Sequence, residues 1–232
     1  MNNATALLLA GNMCDARLWT PEIRALLPRP RDVDLSHDDS IAAMAERALA
    51  AADGPLLPVG FSLGAIVALA IAERAPERLA GLVLLDCNPA ADLPERAAVR
   101  PRQQADARAG RLLDVVVDEL KPNYLADDHR RNEPLLTLLR DMAMGLGPDT
   151  FVRQSEALRT RPSHAHVAPS LACPIFIAVG AEDRLCPPDW HARLAAGAKR
   201  AELHIIRGAG HMLPLEQPAA LAAALGPWLE RL

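Results

Sequence analysis

The pentapeptide Gly60-Phe61-Ser62-Leu63-Gly64 places a serine between two glycines, with the apolar run 55–59 before it and an apolar helical pattern over 63–74 after it. A serine at such a sharp strand-to-helix turn takes a strained backbone conformation, and glycines two residues to either side let the neighbouring chain approach without a Cβ clash. The strain lifts the hydroxyl into the open, where it can attack a carbonyl. The helix behind it points its positive N-terminal end at the oxyanion that such an attack creates. Ser62 is therefore the candidate nucleophile, and the Leu63 N–H a candidate oxyanion donor.

A serine hydroxyl reacts poorly at neutral pH unless a base takes its proton and an acid holds that base in the right tautomer. Two downstream segments offer both. Residues 175–180 read as a strand, and Ala181-Glu182-Asp183-Arg184 follows at once, which makes Asp183 the candidate acid. Residues 203–206 read as another strand, followed by Gly208-Ala209-Gly210-His211, which makes His211 the candidate base. Asp86, at the end of the preceding strand, is a rival acid, and Glu182 a weaker one. Parallel strands end on one rim of a sheet, so Ser62, Asp183 and His211 converge although they are far apart in sequence. The second oxyanion donor is expected from the loop Gly11-Asn12-Met13-Cys14, with Asn12 favoured over Met13 because it directly follows the glycine. Among the other histidines, His37, His129 and His191 read as surface residues and His204 as part of a strand. His164 and His166 stand where they could touch substrate, but a lone His-x-His pair is a poor metal signal. No metal and no cofactor is expected.

The elements that position these residues follow from hydrophobic patterning. Short apolar runs alternate with helical patterns: 6–10 then 19–27, 33–35 then 41–52, 56–59 then 63–74. This βαβα rhythm implies a parallel sheet covered on both faces. The runs 79–87, 174–179 and 203–206 read as further buried central strands. Between two of them lies a long segment of charged, helix-periodic sequence interrupted by Pro94, Pro101, Pro122, Pro134, Gly145, Gly147 and Pro148. It is too long for a loop and reads as several helices folded over the sheet. The expected organisation is a core in two parts, 1–89 and 168–232, with a helical cap at 90–167. Met142, Met144, Phe151 and Leu158 are candidates for the wall of an acyl pocket beneath that cap, and helix spacing fits the cap's own core equally well.

Composition narrows the partners. The 232 residues suffice for one α/β domain with an insertion. Only 3% of them are aromatic, and the net charge is −4, so neither stacking platforms nor a basic face for nucleic acid or anionic lipid is expected. No apolar run approaches the roughly 20 residues of a membrane span, and the start lacks the pattern of a signal peptide, so a cytoplasmic address is the default expectation. The four cysteines, Cys14, Cys87, Cys173 and Cys186, have no Cys-x-x-Cys spacing and read as buried thiols. A small acyl molecule is the expected partner, and patterning leaves the oligomeric state open.

With strand-elbow-helix, Asp-bearing loop and Gly-x-Gly-His loop in register, the chain resembles the α/β-hydrolase superfamily over essentially its full length, in particular its small bacterial esterase-like members. Gly180-Ala181-Glu182-Asp183-Arg184-Leu185-Cys186-Pro187 and Gly210-His211-Met212-Leu213-Pro214-Leu215-Glu216-Gln217-Pro218 are similarly typical of it. The resemblance assigns Ser62, Asp183 and His211 to the family's triad positions and residues 7–19 to its oxyanion loop and first helix. It implies a mostly parallel sheet of about six strands, without the antiparallel hairpin with which many members begin, and an inserted helical cap. Many members carry His-Gly at the oxyanion loop, where this chain has Ala10-Gly11. The implied activity is hydrolysis of a small carboxylic ester, thioester or lactone through an acyl-enzyme on Ser62. The same scaffold serves C–C bond hydrolases, lyases, acyltransferases and perhydrolases, and a non-catalytic ligand receptor is a further alternative. A substrate rich in carboxylates would want paired cations in the pocket, for which Arg100, Arg159 and Arg161 are candidates.

Overall fold

The computed structural model describes residues 3–120 and 124–232, so Pro122 lies outside the described residues. Its strands are β1 (Thr5–Leu9), β2 (Arg31–Val33), β3 (Leu56–Phe61), β4 (Leu82–Leu85), β5 (Ile175–Gly180) and β6 (Ala201–Ile206). They form one sheet in the order β2-β1-β3-β4-β5-β6, and every pairing is parallel. All C-terminal strand ends therefore share one rim.

Side chains alternate between the faces of the sheet, and each face has its own core. Leu7, Leu9, Leu84 and Ile177 pack toward α2 (Ile41–Ala50) and α3 (Leu63–Arg74). Ala6, Leu8, Val83 and Phe176 pack toward α1 (Pro21–Leu26) and α10 (Pro218–Glu230). Helix α3 is buried on every side from Leu63 to Ala72, as a helix enclosed between sheet and neighbouring helices must be. Pro58 sits inside β3, a central strand, although it has no N–H to donate. The β3–β4 ladder is broken at that point: it has a bridge at Leu56–Leu79 and resumes at Val59–Val83.

Two strands differ from the sequence expectation. The run at 33–35 is strand only to Val33, because the Asp34 carboxylate accepts the Ser36 N–H at 2.8 Å and turns the chain. The run at 203–206 belongs to β6, which is an edge strand and not a central one, and Ile205 is 51% exposed on it.

Between β4 and β5 the described chain holds no strand. It forms α4 (Pro94–Asp106), α5 (Leu112–Asp114) flanked by wide π-type turns at Ala107–Arg111 and Val115–Leu120, α6 (Glu133–Thr160) and α7 (Val167–Ser170). A kink at Gly147, where φ is 80°, divides α6. This insertion has a small core of its own, Ala107, Leu112, Val115, Ala143 and Phe151, into which Met13 of the loop after β1 projects. After β5 come α8 (Pro188–Gly197), then β6 and α9 (Leu213–Glu216) ahead of α10. Among the described residues no helix is long and apolar enough to cross a membrane.

Candidate active site

Ser62 stands between β3 and α3 with φ 52° and ψ −112°, a conformation a non-glycine residue holds only under constraint from its surroundings. The constraint is visible. Ser62 N–H donates to the Leu85 carbonyl at 2.9 Å, and a Cβ on Gly60 would lie 2.4 Å from the Gly64 carbonyl oxygen. At Gly64 it would lie 1.8 Å from the Leu9 carbonyl oxygen. Both glycines are thus demanded by close backbone approach and not by turn preference alone.

The rim loops bring the three sequence candidates together. Ser62 Oγ and His211 Nε2 are 3.0 Å apart, and His211 Nδ1 lies 2.8 Å from Asp183 Oδ2. With Nδ1 protonated toward the carboxylate, Nε2 is left as the acceptor for the serine proton. Asp183 Oδ1 accepts the N–H groups of Leu185 and Cys186, at 2.8 and 2.9 Å. Burial pushes the Asp183 carboxyl up, but the His211 imidazole and these two amides outweigh it and hold the group below its usual range. The ring of His211 is flanked by Phe61 and Tyr124, at centroid distances of 5.3 and 5.7 Å.

The rival acid is also present, in a different state. Asp86 ends β4 with φ 48°, is fully buried, and accepts the Gly180 N–H at 3.1 Å, while its Oδ2 has no partner in hydrogen-bond geometry. Burial, and then the neighbouring charge of Asp183, holds the Asp86 carboxyl well above its usual range. The fold therefore holds this proton to higher pH than the unfolded chain, which releases it near 3.8, so the group's contribution to stability should decline as pH rises past that value. Asp86→Asn keeps the acceptor for Gly180 and removes the titration. It is expected to flatten a pH slope of at most about 1.4 kcal/mol per unit, read by urea denaturation from about pH 4 upward. Activity should stay within about 10-fold of wild type, against a loss of about 10⁴-fold in Asp183→Asn. Equal losses in the two variants would make Asp86 the working acid.

Loop Gly11-Asn12-Met13-Cys14 lies across from the elbow. Among the described residues the Asn12 N–H has no acceptor, whereas the Met13 N–H is spent on Gln154 Oε1 at 2.8 Å. Leu63, as the first residue of α3, has no intrahelical acceptor for its own N–H. Two positioning residues have no motif of their own in the sequence. Gln154 of α6 also donates to the Leu35 carbonyl at 3.2 Å, fastening the insertion to two rim loops. Glu216, buried in α9, accepts from Gly210, Met212 and Ala126 N–H groups at 2.9, 3.0 and 2.7 Å, and so fixes the His211 loop. Its place inside the Gly210–Pro218 segment was the only available signal.

Other sequence expectations are corrected. His191 is fully buried rather than a surface residue. Its Nε2 accepts from Cys87 N–H at 2.7 Å, and its Nδ1 faces the Pro187 carbonyl at 3.2 Å, so it clamps the loop after β4 to the Asp183 loop. Burial pulls its imidazole down to about 4, which keeps it neutral in this role. His164 and His166 do not face the site: both hold Glu73, at 3.0 and 2.9 Å, near the far end of α3. Of the expected acyl-pocket residues only Leu158 lines the cavity over Ser62. Met142 is in the core of the sheet's second face, Phe151 in the insertion's own core, and Met144 is exposed. Arg159 is also outside, paired with Glu156 on the surface.

That cavity has a volume of about 400 Å³ and contains both Ser62 and His211 together with Asn12. One possible metal cluster, Asp183, Cys186 and His211, has its donor atoms within 4.8 Å of one another. Both Asp183 oxygens are already engaged, and burial pushes the Cys186 thiol well above its usual range, which makes it a poor metal ligand.

The chain is similar in sequence and fold to known proteins. The pattern of the alpha/beta hydrolase family matches residues 5–224. A biotin biosynthesis bifunctional protein of Cellvibrio japonicus is 24% identical over all of this chain, which spans 49% of that relative's length. A thermophilic esterase from Thermogutta terrifontis superposes with a TM-score of 0.89 at 25% identity, covering 99% of this chain and 90% of that one. An enol-lactonase from Burkholderia xenovorans shares the fold at a TM-score of 0.83 and 20% identity, covering 99% of this chain and 92% of that one.

Proposed function

This chain belongs to the alpha/beta hydrolase family, and on that premise we propose that it is a serine hydrolase cleaving a small carboxylic ester, thioester or lactone through an acyl-enzyme on Ser62. The observation that carries this reading is the continuous relay from Ser62 Oγ to His211 to Asp183, opening into a cavity large enough for a small molecule. His211 Nε2 takes the hydroxyl proton as Oγ attacks the substrate carbonyl. The oxyanion is held by the N–H groups of Asn12 and Leu63, while Asp183 stabilises the imidazolium. His211 returns its proton to the leaving oxygen or sulfur, and the acyl group stays on Ser62. Water then enters, gives its proton to His211 and releases the acid, restoring the serine.

The engagement of Met13 N–H by Gln154 supports the choice of Asn12 as the loop donor. It also gives α6 a role in holding that donor in place. The test is covalent capture: a fluorophosphonate is expected to modify Ser62 stoichiometrically, and p-nitrophenyl acetate to leave its acyl mass on the peptide containing Ser62 after rapid quenching. A folded protein that neither turns over the ester nor takes the phosphonate would sink the reading. A ligand receptor on a hydrolase scaffold would then take its place.

A further inference from the structure

The cavity over Ser62 is not the apolar slot that an alkyl ester would call for. Its walls carry Arg96, Arg100 and Arg161, together with Asp92, Asn88 and Glu119. Arg100 and Arg161 converge on one carboxylate. Arg100 Nε donates to Asp92 Oδ2 at 2.7 Å and Nη2 to Oδ1 at 3.3 Å, while Arg161 Nη1 donates to the same Oδ1 at 2.9 Å. The side chains are 13%, 3% and 2% exposed for Arg100, Arg161 and Asp92, so this cluster is largely out of water.

One arginine would neutralise Asp92. Arg161 also serves as a structural clasp, donating to the carbonyls of Ala90 and Leu158, and its presence is explained by that alone. Arg100 is then surplus: a second, nearly buried guanidinium on an anion already paired. The second carboxylate of the lining supplies no balancing charge, because Glu119 is taken by Arg102 and Gln103. Arg96 adds a third guanidinium whose contact among the described residues is a neutral carbonyl, that of Leu185, at 3.1 Å. Excess buried cation is costly unless an anion accompanies it, and guanidinium forks match carboxylates in shape as well as charge. Burial followed by repulsion from Arg100 opposes the charge on Arg161, an opposition only partly offset by Asp92.

We propose that the substrate carries a carboxylate at the end remote from its scissile carbonyl, and that Arg100 and Arg96, braced by the Arg161–Asp92 pair, anchor it. The inference rests on the hydrolase reading for the scissile bond, while the anchor itself is a binding property. The carboxylate end fixes which carbonyl reaches Ser62, and the insertion helices α4 and α6, from which Arg96, Arg100 and the Leu158 wall come, set its distance.

The experiment compares two esters of one length: p-nitrophenyl hydrogen glutarate, and its neutral analogue in which the free carboxyl is a methyl ester. The anionic ester is expected to show a kcat/KM roughly 10- to 100-fold higher at low salt, the range of a charge-assisted hydrogen bond, with the preference shrinking as salt screens it. Arg96→Gln and Arg100→Gln should each reduce that ratio by about 10-fold. A second readout needs no turnover: free glutarate should raise the melting temperature of the wild type and raise it less in Arg96→Gln. Among the described residues Arg96 donates only to the Leu185 carbonyl, and it is the safer variant for folding. Equal rates on the two esters, with no thermal shift from glutarate, would overturn the anchor. Loss of turnover on both esters with the glutarate shift intact would overturn the hydrolase reading and leave the anchor standing.

Discussion

Ser62→Ala is expected to lower kcat/KM on p-nitrophenyl butyrate by about 10⁴- to 10⁶-fold, the scale seen when the nucleophile of a serine–histidine–aspartate relay is deleted. The geometry leaves no substitute. The Ser62 hydroxyl is the atom 3.0 Å from His211 Nε2, and the other cavity groups that could attack a carbonyl are poor candidates. Cys186 lines the same cavity, but its thiol is pushed well up by burial and has negligible thiolate at neutral pH. Alanine retains a Cβ and therefore retains the backbone strain, so stability should change by no more than about 0.5 kcal/mol. A drop in rate can then be read as chemistry and not unfolding. Stopped-flow release of p-nitrophenol, with denaturation curves on the same samples, decides it. A variant that keeps more than about one-tenth of wild-type turnover would remove Ser62 from the mechanism.

Gly64→Ala is expected to cost several kcal/mol of stability, about 3–5, out of the 5–15 typical of a domain. The added Cβ would meet the Leu9 carbonyl oxygen at 1.8 Å and the Ala10 carbonyl oxygen at 2.7 Å. Neither side can retreat. Leu9 is held in register with Gly60 in the β1–β3 ladder, and α3 is packed on every side. The damage falls on the elbow and the loop after β1 together, so activity should fall with stability. Gly145→Ala is the control. It lies in α6 with a nearest neighbour at 3.8 Å, the flexible tip of Arg17, and alanine there should be neutral or stabilising by up to about 1 kcal/mol. Urea midpoints for the two variants test the contrast. A Gly64→Ala protein as stable as the control would mean that the elbow is looser than its packing implies.

Much of the architecture was legible in the sequence because it is locally encoded. The strand-elbow-helix transition at 56–74 is written in the switch from an apolar run to a helical pattern across two glycines, and α3 begins and ends at Leu63 and Arg74 as read. Asp183 and His211 could be singled out because each directly follows a strand, and a parallel sheet sends all such positions to one rim. That step needs no side-chain contact, only topology. The family resemblance rests on the same segments.

What lay beyond the sequence depends on which way a side chain points once helices dock. Periodicity marks an apolar face without naming what it meets. Met142 and Met144 stand on opposite sides of one helix, so one enters a core and the other meets solvent, while Phe151 lies beyond the kink at Gly147 and packs in a different core. His191 looked like a surface histidine in a polar helix, and its burial comes from backbone groups of Cys87 and Pro187 that only the fold brings together. The same holds for the opposite shifts of the neighbouring Asp86 and Asp183 carboxyls, for Gln154 reaching Met13, and for the arginines gathered over Asp92. The sequence by itself determined the sheet, the elbow and the three rim residues that meet there, because backbone hydrogen bonding and strand order act through local pattern. Only the tertiary structure decided the opposite pKa shifts of the two carboxyls beside the relay and the charged lining of the cavity. Both depend on desolvation and on distances of a few ångströms between segments remote in the chain.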